Sequence, residues 1–531
     1  MGDNNQFDVI VIGAGQNGLT AAAYMAKAGL DVAVLEDKGW IGGSAITKEI
    51  TLPGFKHDLA STGFAFALNN PAVVNDELGL FSKYGLELCY PKFNVVNLYD
   101  DGTALPIFED LDEMCQAIAA YSEEDAEAYR KFTLYLQSML PLLATGMFNA
   151  PPKMGMLFNQ LDMTPLGQEF MRILFMSAWD LSRQWFKHPK TINMMLNYAS
   201  EAMVDVEQSG SALYVVAMVA PAHVHGRHMA YLRGGMQSLP DSLARCIEAN
   251  GGKVLVDHEV VKINTRGGKV VGVTTANGQE FTARKAVISN VDPRLTLNKW
   301  LDNPLEANLR QKIDNIAEPA FSGMGIHLAL DVDPTFKAPE YQEASKNAVM
   351  AVTLTSSLEE FRQYFIDMRT GKVPKPAKLM NLLQHRCDPT RCPDGKAALY
   401  IWQFLPYFIN EGPDQWDNIK EQVSNEAIEK FFSYTSNLSE KNILKKVSIS
   451  PLDFERTNQN RIHGSILGPS PALYQYMSYR PIPELGQYRT PVEGLYLSGQ
   501  SCHPGGGVTL GGRATAQIVM QDLGIDFEDV I

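Results

Sequence analysis

The segment FDVIVIGAGQNGLTAAAYMAKAGLDVAVLEDKG, residues 7–39, constrains the fold more than any other part of the chain. Phe7 to Ile12 is an apolar run broken only by Asp8, as expected of a strand buried on both faces of a parallel sheet. Gly13, Gly15 and Gly18 follow in a GxGxxG turn. Leu19 to Ala28 then reads as a helix that Gly29 ends. Val32 to Leu35 is a second strand, with Glu36 at its end. Each part has a physical reason. Gly13 permits the tight turn, Gly15 lets the backbone approach a pyrophosphate, and Gly18 lets the helix pack on the strand. The helix start, beside Asn17, offers free N–H groups and a positive dipole end to phosphate oxygens. Glu36 stands 18 residues after Gly18, where an acid reaches ribose hydroxyls. A glycine triplet alone is weak evidence. Framed by strand, helix, strand and acid, it specifies a dinucleotide-binding unit and an α/β fold of Rossmann type.

Composition narrows the field. The 531 residues suffice for roughly two to four domains and a large core. The formal net charge is -14 and no dense Lys/Arg run occurs, so nucleic acid is not an expected partner. MGDNNQFDVIVIG runs straight into the first strand. The longest apolar stretch, Ala212 to Val224, is short and holds Pro221 and His223, so neither a secretory signal nor a membrane span is expected. Six scattered cysteines suit a reducing compartment, and the expected location is cytoplasmic.

A second close backbone approach, Gly42-Gly43-Ser44, comes soon after Glu36, where a simple dehydrogenase needs none. It resembles the glycine-pair signature of the FAD-binding superfamily of amine oxidases and carotenoid desaturases. Many members carry an arginine just after the pair; here Ser44 and Ala45 leave the phosphates to backbone and hydroxyl donors. Further along, RGGMQSLP, a helix from Leu239 to Ala249 and strands at Val254–Asp257 and Val260–Asn264 open a second block. A β-meander over 265–283 and a buried strand at Ala286–Asn290 complete it. In the superfamily such a block returns the chain to the FAD domain, and the valine matching Val260 meets the adenine. As a residue alone, Val260 is equally an ordinary core valine. No second GxGxxG follows a later strand, so a second stably bound nicotinamide nucleotide is not expected.

The expected architecture is therefore a discontinuous FAD-binding domain of the glutathione reductase/amine oxidase type, residues 1–80, 230–295 and 455–531. Inserted in it is an α+β substrate domain: a helical, methionine-rich part at 81–229 and a substrate-binding part at 296–454. Of 22 methionines, 13 fall between Ser138 and Met236; they fill core helices, or line an adaptable apolar tunnel or a membrane-touching face. His223, His225 and His228 lack an acid partner and sit beside Arg227, so no metal is expected. In the superfamily the strand that follows lies near the flavin, which makes His228 a candidate catalytic residue. Cys387 and Cys392 have the spacing of a redox disulfide but lie in a Pro/Asp/Gly turn, and no redox role is expected.

Near the C-terminus, Leu495 to Ser498 is a short buried strand ended by Gly499-Gln500. Pro504 to Gly507 is a tight loop, and Thr509 to Leu523 can form a closing helix. YRTPVEGLYLSGQSCHPGGGV resembles the C-terminal signature of the carotenoid desaturase, isomerase and ketolase group. IGAGQNGLTAAAY, IGGSAITKEI, CDPTRCPDGK, SPLDFERTNQNRIHG and YRPIPELGQYRTP resemble blocks of a sister clade, the pyridine nucleotide-disulfide oxidoreductase domain-containing protein 2 type. The likeness runs nearly end to end, with two departures. Gln16 stands where members often have histidine, and Thr509–Arg513 is one residue short of the usual loop.

The resemblance implies FAD. It turns Gly499 and Gln500 toward the ribityl-phosphate. It turns the Gly507, Val508 and Thr509 N–H groups, at a helix start, toward the flavin N1/C2 edge, where a positive helix end stabilises the reduced ring. His503 becomes a candidate catalytic residue, with orientation of the loop as the other reading; Cys502 reads as a small buried residue. The implied reaction moves a hydride from a largely apolar, polyene or isoprenoid substrate to flavin N5, with oxygen or a quinone as acceptor. An oxidase or dehydrogenase of an aromatic or amine-bearing molecule is one alternative. An FAD-binding protein with mainly a partner-interaction role is another. An apolar substrate also suits peripheral contact with the inner face of a membrane.

Overall fold

The computed structural model describes residues 5–144, 146–224, 229–338 and 341–531. Two sheets organise it. The first contains β1 (Gln6–Ile12), β2 (Val32–Leu35), β3 (Lys253–Leu255), β4 (Val260–Arg266), β5 (Lys269–Thr275), β6 (Glu280–Ser289) and β7 (Leu495–Leu497). Their order is β4–β5–β6–β1–β2–β3, with β7 parallel beside the end of β6. Strand β1 lies at the centre, parallel to both β2 and β6. Its residues Val9, Ile10 and Val11 are fully buried, as a strand covered on both faces requires.

Helices α1 (Gln16–Lys27), α2 (Ser238–Ala249) and α3 (Gly512–Leu523) pack together, with α1 against both of the others. Small residues set these distances. A Cβ on Gly512 would lie 1.9 Å from the Asn17 carbonyl oxygen, and one on Gly18 would lie 2.3 Å from that of Gly13. The first helix begins at Gln16, three residues before the apolar periodicity suggests, because Gln16 and Asn17 are polar residues of its buried first turn.

The second sheet runs Ile443–Ile449, Ser322–Leu330, Ala397–Leu405, Lys378–Leu382, Ala348–Leu354, Phe93–Tyr99, Ala104–Pro106. It is antiparallel except where Phe93–Tyr99 meets Ala348–Leu354. The segment 81–229, expected as helical, thus contributes strands as well. FNVVNLY is a short β-branched and aromatic run closed by an Asp-Asp-Gly turn, which is strand chemistry. Helices from Leu111–Ala119 to Ala212–Val219 cover one face of this sheet, and Trp416–Ser433 covers the other. Among the described residues no helix is long and apolar enough to cross a membrane.

A buried ion network ties the segments of the first sheet to the second. The Arg391 guanidinium donates to Asp58 and to Asp388 at 3.0 Å each, and the side chains of all three are at most 1% exposed. Asp58 also accepts from the Met236 N–H (3.0 Å) and the Gln384 amide (2.7 Å); Asp388 accepts from the Gly234 N–H (2.8 Å). The block CDPTRC therefore carries a crosslink through its Asp and Arg. Its cysteines are free thiols, and burial pushes Cys387 up to about 12 and Cys392 up to about 11.

Candidate functional site: a dinucleotide cleft

A cleft of about 1070 Å³, measured to its open mouth, runs along the carboxyl ends of β1, β2 and β6. Ligands of open α/β sheets bind outside such strand ends. Its walls include Ile12, Gly13 and Gly15 to Asn17; Leu35 to Asp37; Gly42 to Ala45; Glu259 and Val260; Asn290 to Asp292; Asn458 to Arg461; and Gln500, Ser501 and Gly507. Of the residues singled out from sequence, Gly13, Gly15, Asn17, Glu36, Gly42, Gly43, Ser44, Val260, Gln500 and Gly507 line it.

The two glycine segments meet edge to edge. Gly42 donates its N–H to the Ala14 carbonyl at 2.8 Å, and a Cβ on Gly43 would stand 3.1 Å from the Gly15 Cα. Gly13 (φ 90°) and Gly43 (φ 62°) hold backbone conformations that a side chain would strain. Glu36 caps the first turn, its carboxylate accepting from the Ala14 N–H at 2.7 Å and the Lys38 N–H at 3.2 Å. Burial, and then its hydrogen bond with Asp37, raises the Glu36 carboxyl to about 8.

Gly18, Gly499, Val508 and Thr509 stand behind the wall. Gly499 packs on Asn290, where a Cβ would lie 2.6 Å from Oδ1, and Val508 and Thr509 are buried. The closing helix starts at Gly512, three residues later than Thr509. Leu510, at φ 50°, turns the chain before the helix can begin. The Asn70 side chain donates to the Thr509 carbonyl at 2.8 Å, and Gln16 grips the same loop. Its amide donates to the Gly507 carbonyl (3.3 Å) and its oxygen accepts from the Leu510 N–H (3.1 Å). The Gly507–Thr509 N–H groups are therefore not a helix start. One glutamine bridges the first glycine turn and the last glycine loop.

His503 does not line the cleft. It is buried, one ring nitrogen bonds to the Gly146 carbonyl, and burial lowers it to about 4, so it is a neutral imidazole at physiological pH. The position is that of an anchor between the glycine loop and the helical layer. His228, with His225, lies outside the described residues; His223 bonds to the Glu109 carbonyl at 2.9 Å and to Tyr129 at 3.1 Å. Cys502 is buried, its thiol pushed up to about 12.

Sequence reasoning missed the wall formed by Asn458 to Arg461, together with Asn290, Asp292 and Trp300. The readable signal was an unbroken polar run, Glu455 to Arg461, that ends in NQNR. The cleft fits a polar dinucleotide on its own evidence. Asn17 Oδ1, Asn290 Oδ1 and Arg461 Nε all belong to lining residues and are buried without a hydrogen-bond partner. Buried polar atoms left open in this way mark a place where a ligand completes the pairing.

This fold and cleft define an FAD-binding α/β oxidoreductase. The chain belongs to the family described as flavin containing amine oxidoreductase, whose model matches residues 18–372. It is 29% identical to pyridine nucleotide-disulfide oxidoreductase domain-containing protein 2 of Rattus norvegicus, over 98% of this chain and 94% of the relative. It is 27% identical to one of the subunits of limonene dehydrogenase from Castellaniella defragrans, over 99% of this chain and 96% of the relative. Among solved structures, putrescine oxidase bound to putrescine superposes with a TM-score of 0.63 at 15% identity, covering 98% of this chain and 99% of that one.

Proposed function

We propose that the protein removes hydrogen from a C–H bond of a largely apolar, isoprenoid-type substrate. The observation that carries this reading is an aromatic layer beside the cleft. Strand Ser322–Leu330 carries Gly323 and Gly325, bare backbone covered by Trp402 and Tyr400. A Cβ would come within 2.3 Å of the first ring and 3.0 Å of the second. Phe321, Phe404 and Phe454 extend the layer at ring separations of 5.5 to 6.0 Å. Buried Met139, Met194, Met195 and Met203 belong to the same core, and Ile466 joins it to the cleft wall. The titratable pair set into the layer is neutral. His327 stacks on Tyr400 at 4.5 Å, and burial holds its imidazole well below the usual range. Rings and thioethers offer a hydrocarbon an extended apolar contact. The limonene dehydrogenase relative is named for limonene, an apolar terpene, which supports the same class.

FAD supplies a hydride acceptor at N5 when bound. The chain supplies the rest. Its glycine turns let the dinucleotide approach, Gln16 and Asn70 fix the C-terminal loop, and the aromatic layer excludes water and orients the C–H bond. Oxygen or a quinone is the proposed final acceptor. Met156, Met163 and Phe175 are 59%, 77% and 59% exposed on the helical layer. They support a cytoplasmic protein that touches the inner face of a membrane, where such substrates dissolve. The test is anaerobic: terpenes and polyenes should bleach the flavin absorption, and small polar amines should not. Bleaching by amines alone removes the isoprenoid reading.

A further inference from the structure

Arg461 is the only basic residue among the described residues that line the cleft, against four acids. Each acid is otherwise accounted for. Burial keeps Glu36 largely protonated, Asp37 pairs with Lys38 at 3.0 Å, Asp292 pairs with Arg294 at 3.0 Å, and Glu259, next to Val260 in the chain, makes no ion pair with Arg461. Among the described residues Arg461 has no carboxylate partner. It is 5% exposed, and its bonds are two long ones to hydroxyls, Thr457 Oγ1 at 3.2 Å and Ser44 Oγ at 3.3 Å. Its Nε has no partner. The Phe454 ring lies 5.3 Å from its guanidinium carbon. Burial pulls it down to about 10, which leaves it a cation at neutral pH.

A buried cation this poorly satisfied is costly unless an anion arrives. Arg480, equally buried, shows the contrast. It stands outside the cleft and makes five bonds to the carbonyls of Pro469, Ser470, Gln475 and Gln500. Arg461 bonds to Ser44, the residue that follows Gly43, and Gly43 in turn meets Gly15. Two bare backbones converge there, as they must to approach a diphosphate.

We infer that Arg461 holds the diphosphate of the bound dinucleotide, so that the distant NQNR segment supplies the charge that the glycine turns lack. The assignment predicts a specific pattern of ligand loss. Full-length protein stripped of flavin is titrated with FAD, with ADP (diphosphate without flavin) and with riboflavin (flavin without diphosphate). Arg461→Met should weaken FAD and ADP alike, on the order of 10- to 100-fold, the size of a lost charge-assisted bond. Riboflavin affinity should not change. Arg461→Lys should recover part of the loss, and the salt dependence of ADP binding should flatten in Arg461→Met. Unchanged ADP affinity with a shifted flavin midpoint potential would place the guanidinium against the ring and overturn the assignment. ADP bound equally by wild type and both variants also overturns it. If Arg461→Met does not fold, the lysine variant and the wild-type salt dependence decide the matter.

Discussion

Arg391 and Arg461 are both almost wholly buried where segments of the two sheets meet, and they are held in opposite ways. Arg391 lies between two carboxylates that themselves collect backbone N–H groups from the first sheet's segments. Arg461 touches two hydroxyls and a ring and, among the described residues, has no carboxylate; each arginine leaves one buried donor open, so the carboxylates are what separate them. The difference separates charge that builds the fold from charge kept for a ligand. A paired buried ion contributes mainly when its partner remains; an unpaired one costs stability until something binds.

The largest effect should come from breaking the first kind. Arg391→Met leaves Asp58 and Asp388 buried without a cation and should cost about 3–5 kcal/mol of stability, read by denaturant unfolding. Gln16→Ala removes two bonds between the glycine segments and should cost about 1–3 kcal/mol, with a matching fall in flavin retention. Glu36 gives a pH effect of known sign. Its folded carboxyl is raised, so between about pH 4.5 and 8 the folded chain keeps a proton that the unfolded chain has lost. Stability of the flavin-free protein should therefore fall as pH rises through that window, by at most about 1.4 kcal/mol per pH unit, and Glu36→Gln should flatten the slope. The smallest effect is the sharpest contrast. Arg461→Met in flavin-free protein should change stability by less than about 1 kcal/mol, or raise it. A loss as large as that of Arg391→Met would erase the distinction between the two sites.

The same contrast explains what was legible in the sequence. The turn at Gly13, Gly15 and Gly18 and the acid Glu36 were readable because each answers a local demand of backbone geometry or a fixed spacing. Strands β1, β2 and β6 were readable from their apolar runs. The Arg391 network was not, because Asp58 and Arg391 are 333 residues apart and only the folded chain joins them. CDPTRC drew attention through its cysteines, while its Asp and Arg do the bonding. The helix read from Thr509 failed at Leu510, whose left-handed backbone no propensity announces. Gln16 looked like a departure from a relative's pattern; its role appeared only once Gly507 and Leu510 were beside it.

The central claim is that the two ends of the chain close one FAD cleft around the Gly15–Gly43 junction. The most direct test is the flavin content of purified full-length protein after incubation with FAD, compared with Gly15→Leu, whose side chain would fill the space where the backbone must approach the phosphates. The account predicts one FAD per wild-type chain, and none in a variant whose far-ultraviolet circular dichroism is unchanged. Stoichiometric FAD in both proteins, or in neither, would contradict it.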